Sequence, residues 1–174
     1  MKRPAVEQQA GSRYWRNWAG TVTSVAVDML EVTREADIVS AVQVARASAL
    51  RVKAIGSGHS YNPIADVNGA IGLSLSSYAG IEHVDEITHY VTVKAGTQLG
   101  AFCTELAALR LALPVLGAIT DQTIAGLLAP PPTALDGVCA ASRIMWSGCA
   151  LSTLVRMSSS CHWSAMRICH MPRN

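Results

Sequence analysis

The stretch whose reading decides the fold is 51-RVKAIGSGHSYNPIAD-66. Arg51 to Gly56 is apolar and basic in alternation and closes on a glycine, which predicts a strand over 51–56 running into a tight turn. Gly56 and Gly58 bracket Ser57 and can both take positive φ, so another group can approach the backbone closely. Successive N–H groups in such a turn form a concave nest for an anion. A plain connection between two elements is the alternative. The dinucleotide fingerprint is excluded, because the third glycine is missing and no helix opens there. His59 adds an imidazole beside whatever the turn holds, with a ring nitrogen that is nucleophilic when neutral. Its bland alternative is a hydrogen-bonding loop histidine.

Alternating elements surround this turn. Upstream, 21-TVTSVAV-27 is β-branched and alternating, which predicts a strand, and 30-LEV-32 predicts a second. Residues 33–50 predict a helix with Thr33 as N-cap and acids in the first turn. Its apolar stripe is Ile38, Val39, Val42 and Ala45. Downstream, 70–75 predicts a strand and 80–96 a hairpin whose second strand, 90–95, puts Val91 and Val93 on one face. A helix is predicted over 97–113 with Leu99, Phe102, Cys103, Leu106 and Leu109 on one side. Another starts within 120–129, capped by Thr120 or Asp121. In 14-YWRNWAG-20, two tryptophans stand three apart, and burial at the domain edge is preferred to a binding role.

A second glycine and hydroxyl cluster lies in 113-LPVLGAITDQTIAG-126. Gly117, Thr120, Thr123 and Gly126 could lay donors along a diphosphate; a helix cap with close packing is the favoured alternative. The chain has 174 residues, half of them hydrophobic and 15% charged, which suits one domain with a sizeable core. Its formal net charge of +2 gives no argument for nucleic acid or an anionic membrane. The first twenty residues have no apolar secretory core, and no run approaches the roughly 20 apolar residues of a membrane span. A soluble cytoplasmic protein without a clear membrane anchor is the expectation.

The two ends of the chain differ sharply. Eleven of the twelve acidic residues precede position 129, and four of the five cysteines (Cys139, Cys149, Cys161 and Cys169) follow it. Their spacings lack the paired geometry of a zinc site, and nothing points to an oxidising compartment, so neither metal nor disulfide is expected. Three consecutive prolines, 130–132, end the regular patterning.

Taken in order, NWAG, RVKAIGSGHSYNPIAD, GLSLSSYAGIEHVDEITHYVTVKAGTQLGAF and LALPVLGAITDQTIAG resemble the sugar-lactone and alditol oxidases. These are flavoproteins of the vanillyl-alcohol-oxidase group. The resemblance covers about residues 14–128; its motifs are specific together and weak separately. It implies an α+β fold, the N-terminal portion of a PCMH-type FAD-binding domain, with an irregular C-terminal tail. It further implies that Gly56, Ser57, Gly58, His59 and Ser60 hold the diphosphate of FAD, and that His59 is the covalent attachment point of the flavin. Gly117, Ile119, Thr120, Thr123 and Gly126 would line its other side. The reaction implied is hydride transfer from a sugar lactone or polyol to FAD. No position matches the family's substrate-binding or proton-handling residues, so no catalytic residue is assigned. The expected organisation is an N-terminal extension over 1–13, a partial FAD-binding domain over 14–129 and a disordered, out-of-frame tail over 130–174. A non-catalytic flavin-binding module and a ligand-free fragment are the alternatives.

The out-of-frame reading rests on the genetic code. After TIAG the family continues with a run like Thr-Ala-Thr-His-Gly-Thr-Gly, where this chain has Pro130 to Asp136. Reading one nucleotide earlier turns each proline codon CCN into NCC, which permits Thr or Ala. The same shift lets Thr133 become His, Ala134 Gly, Leu135 Thr and Asp136 Gly. It also converts 146-WSGCAL-151 into codons that permit a valine-rich strand. A reading-frame shift near Ala129 therefore accounts together for the lost acids, the prolines and the crowded cysteines; a genuinely divergent tail is the alternative.

Overall fold

The computed structural model describes residues 13–87, 90–113 and 118–128, and the backbone of 165–167 and 169–170. It divides into two compact units, one ending at Tyr78 and one beginning at Ala79. The expected extension (but for Arg13), Gly117, and the tail apart from its two short strands lie outside the described residues.

In the first unit, β1 (Tyr14–Arg16) and β2 (Thr23–Val25) form an antiparallel pair. β3 (Asp28–Glu31), α1 (Glu35–Ala47), β4 (Arg51–Ile55), a 3₁₀ turn (Pro63–Ala65) and β5 (Ala70–Ser74) follow. β5 inserts between β3 and β4 to give a parallel three-stranded sheet. As the central parallel strand, β5 is buried along its whole length and reads AIGLS without polar alternation. A Cβ at Gly72 would stand 2.6 Å from the Met29 sulfur, so a larger residue there would have to displace the end of that flexible side chain. Trp15, Ala26, Ile55 and Val67 make a core cluster, with Val22, Met29 and Ala65 packed against it.

Helix α1 begins one residue later than expected. Arg34 is the N-cap, and Asp37 reaches back instead of Thr33 reaching forward. Its Oδ2 accepts from the Thr33 N–H (3.0 Å), the Thr33 hydroxyl (2.8 Å) and the Arg34 N–H (3.1 Å). Its buried face is Ile38, Ala41 and Ala45, with Val39 and Val42 at the margin. The helix ends in a Schellman pattern: Leu50 N–H donates to Ala45 O and Ala49 N–H to Arg46 O, with Ala49 at φ +52.

In the second unit, β6 (Ile81–Val84) and β7 (Tyr90–Val93) are the expected hairpin, and Val91 and Val93 are buried together. α2 (Leu99–Ala108) follows, then β8 (Leu111–Ala112) and the short α3 (Ile124–Leu128). β9 (Ala165–Arg167) pairs with β7, and β10 (Cys169–His170) with β8. The helix expected to reach 113 stops at 108. Arg110 takes φ +59, the left-handed cap position, and the chain turns into β8. Leu109 is consequently exposed, whereas Leu99, Phe102 and Leu106 are buried with Leu111 and Ile124, and Cys103 packs at the edge. Buried Thr97 ties the unit together: its hydroxyl donates to Lys94 O (2.7 Å) and accepts from Gly80 N–H (2.9 Å), and its carbonyl accepts from Ile124 N–H (2.8 Å).

Candidate functional site

β4 delivers the turn. Ile55, its last residue, is 1% exposed, and its carbonyl accepts from Leu75 N–H, so the strand end is anchored before the turn begins. Gly56 and Ser60 are exposed; Ser57, Gly58 and His59 are half-buried. Gly58 alone takes positive φ, at +69°; Gly56 does not need it, which corrects the expectation for both. A Cβ at Gly58 would meet Trp15, Asn17 and Trp18 at 3.4–3.6 Å, ordinary contact distances, so the backbone angle is what demands glycine.

The turn's carbonyls and amides are treated differently. Gly58 O accepts from the Trp18 N–H (2.9 Å), and Ser60 O accepts from the Asn17 side-chain amide (2.9 Å). Among the described residues, none accepts a hydrogen bond from the N–H groups of Ser57, Gly58, His59 or Ser60. Carbonyls tied inward and amides left open fit an anionic diphosphate, because a bound phosphate oxygen accepts what the chain leaves unpaired.

The partners come from the segment expected only to be buried. Trp15 is (2% exposed), but Trp18 is 46% exposed and stacks on the His59 ring, with centroids 5.3 Å apart and planes at 26°. Tyr61 meets the same indole edge-on at 6.4 Å. Fully buried Asn17 also donates to Thr21 Oγ1 (2.9 Å) and accepts from Val22 N–H (3.0 Å). Asn17 and Trp18 contact the turn, and pattern reading missed both contacts. The available signal was a polar residue between two tryptophans that turned out to be wholly buried.

The other cluster lies in the second unit and divides. Ile119 and Thr120 are exposed, and Thr120 O accepts from Gly100 N–H at 2.8 Å. Thr123 is buried, and its hydroxyl accepts from Gly126 N–H at 3.2 Å. Thr123 thus caps α3, in place of Thr120 or Asp121, and the cap-and-packing alternative describes Thr123 and Gly126. Among the described residues, no group of His, Cys, Asp and Glu could hold a metal, and no helix is long and apolar enough to cross a membrane.

The architecture is a mixed α/β domain in which a glycine turn closes a parallel strand. The chain belongs to the FAD binding domain family, whose match runs over residues 29–130. It is similar to an L-gulono-1,4-lactone dehydrogenase of Mycobacterium tuberculosis, 33% identical over 118 residues, covering 68% of this chain and 27% of that protein. It is also 35% identical over 113 residues to a putative D-arabinono-1,4-lactone oxidase of Neurospora crassa, covering 65% of this chain and 20% of that one. The chain therefore spans about a quarter of the length of these relatives. In fold it matches cholesterol oxidase from B. sterolicum with a TM-score of 0.62 at 21% identity, covering 74% of this chain and 26% of that chain. An alkyldihydroxyacetonephosphate synthase matches with a TM-score of 0.57 at 14% identity, covering 63% and 22%.

Proposed function

We propose that this chain carries the first part of the FAD site of an enzyme that oxidises a sugar lactone or polyol. The turn at Gly56–Ser60 holds the diphosphate, and the open N–H edge of that turn is the observation that carries the reading. His59 is the attachment point for the flavin 8α carbon. By the family resemblance, Gly117, Ile119, Thr120, Thr123 and Gly126 are further FAD-contacting candidates. FAD, when bound, supplies hydride acceptance from a substrate C–H. The chain's own residues bind and orient: Gly58 supplies the backbone angle, and the pinned carbonyls keep the amides turned outward. The protein is cytoplasmic in this reading.

The 174 residues correspond to 27% of the Mycobacterium tuberculosis relative, and in this reading they do not turn over substrate by themselves. A frame shift near Ala129 is the proposed origin of the tail; the family match, which stops at residue 130, supports it. The second reading, a flavin-binding or ligand-free fragment without turnover, is favoured by the same coverage.

Equilibrium dialysis with FAD, followed by in-gel fluorescence after denaturation, tests the cofactor assignment. Weak FAD binding is expected, with a fluorescent band that His59→Ala abolishes. Binding unaffected by a bulky substitution at Gly58, or a band that survives His59→Ala, would overturn it. Lactones and alditols should not be consumed by this chain.

A further inference from the structure

We propose that Trp18, with Asn17, positions the His59 ring for flavin attachment, an inference that rests on His59 being the attachment point. The two carbonyls that flank His59 are both held by this adjacent pair. Trp18 N–H binds Gly58 O and the Asn17 side chain binds Ser60 O, each at 2.9 Å. Asn17 can serve as a fixed post because it is fully buried and bonded to Thr21 and Val22 as well. With the backbone on both sides of His59 held, the ring retains only its side-chain torsions. The Trp18 indole, stacked at 5.3 Å and 26°, narrows those. Tyr61 in turn braces the indole from its edge. Half-exposed Trp18 contributes little to the core, where Trp15 does the packing. Its place over the imidazole is therefore a matter of the ring's orientation more than of stability.

Attachment joins a His59 ring nitrogen to the 8α carbon. One proton leaves the nitrogen and one the methyl carbon. The two electrons pass through the flavin ring system to dioxygen, and hydrogen peroxide is the co-product. Such a step depends steeply on placement of the attacking nitrogen, and an aromatic stack biases a ring's orientation by roughly two- to tenfold.

The full chain is incubated with FAD in air, and covalent incorporation is followed by fluorescence of denatured samples. ADP affinity reports the turn without the flavin ring, and thermal melting reports the fold. Trp18→Ala is expected to slow incorporation by up to about tenfold while ADP affinity and melting stay near wild type. Trp18→Phe should restore most of the rate. Asn17→Asp, which turns a donor into an acceptor facing Ser60 O, should weaken ADP binding and incorporation together. If Asn17→Asp does not fold, the Trp18 pair decides. Incorporation at the wild-type rate in Trp18→Ala, or slowing only in proportion to lost ADP binding or melting temperature, overturns the proposal. Absence of covalent flavin in the wild-type chain overturns the attachment reading instead, and this inference with it.

Discussion

Gly58 and its neighbour in space Asn17 show how unequal two residues can be. Gly58 has room for a methyl group but sits at φ +69°. Gly58→Ala should therefore cost about 1–2 kcal/mol from the left-handed backbone alone, read by urea denaturation, and should weaken ADP binding. Asn17 has the opposite character: ordinary backbone, no free surface and three side-chain hydrogen bonds. Asn17→Leu leaves Ser60 O, Val22 N–H and Thr21 Oγ1 without their partner and should cost about 2–3 kcal/mol; a loss under about 0.5 kcal/mol would mean water replaces it freely. The glycine and histidine were legible in the sequence because chemistry restricts which residues can serve there. Asn17 and Trp18 were not, since a contact 43 residues away in sequence leaves no local pattern.

Among the elements, periodicity located all three helices and strands β2 to β7, with errors at their ends, and it missed the short strands β1, β8, β9 and β10. Both long helices end on a non-glycine residue in the left-handed region, Ala49 (φ +52) and Arg110 (φ +59), so the usual stop signal is missing. That is why 97–113 read as continuous helix. Strand β1 was missed because three residues with one buried tryptophan carry no measurable alternation. Ala49→Gly should raise stability by about 0.5–1 kcal/mol, checked by the midpoint of denaturation; a decrease would mean that lost chain entropy outweighs relieved strain. At the other end of α1, hydrogen bonds from the Thr33 backbone and hydroxyl, and from Arg34, hold Asp37 well below the usual carboxylate range. A depressed folded value means that this stabilisation is complete above the ordinary aspartate range and is lost as pH falls through the lower one. Asp37→Asn should therefore flatten the acid limb of a pH–stability profile; an unchanged limb would show that the cap is not coupled to folding. In the second unit, Phe102 is wholly buried with Leu99, Leu106 and Val91, and Phe102→Ala should cost about 3–5 kcal/mol, enough to unfold that unit in a circular-dichroism melt.

For the whole molecule, two observations meet near residue 130: the family match ends, and the composition changes. The patterning before that point made the flavoprotein class readable from ordered motifs, none of which is decisive alone. The proposed second side of the cofactor site was less readable, because Thr123 and Gly126 serve a helix cap with the same residue types that would serve a phosphate. Sequencing the gene past the codon for Ala129 should reveal a long, family-like continuation in the neighbouring frame; its absence would make the tail a divergent C-terminus. The most direct test of the central claim is peptide mapping by mass spectrometry of the chain after prolonged incubation with FAD. The expected result is one FAD attached to His59 in a sub-stoichiometric fraction of the chains, abolished by His59→Ala. Flavin on another residue, or none on His59 despite measurable ADP binding, would contradict it.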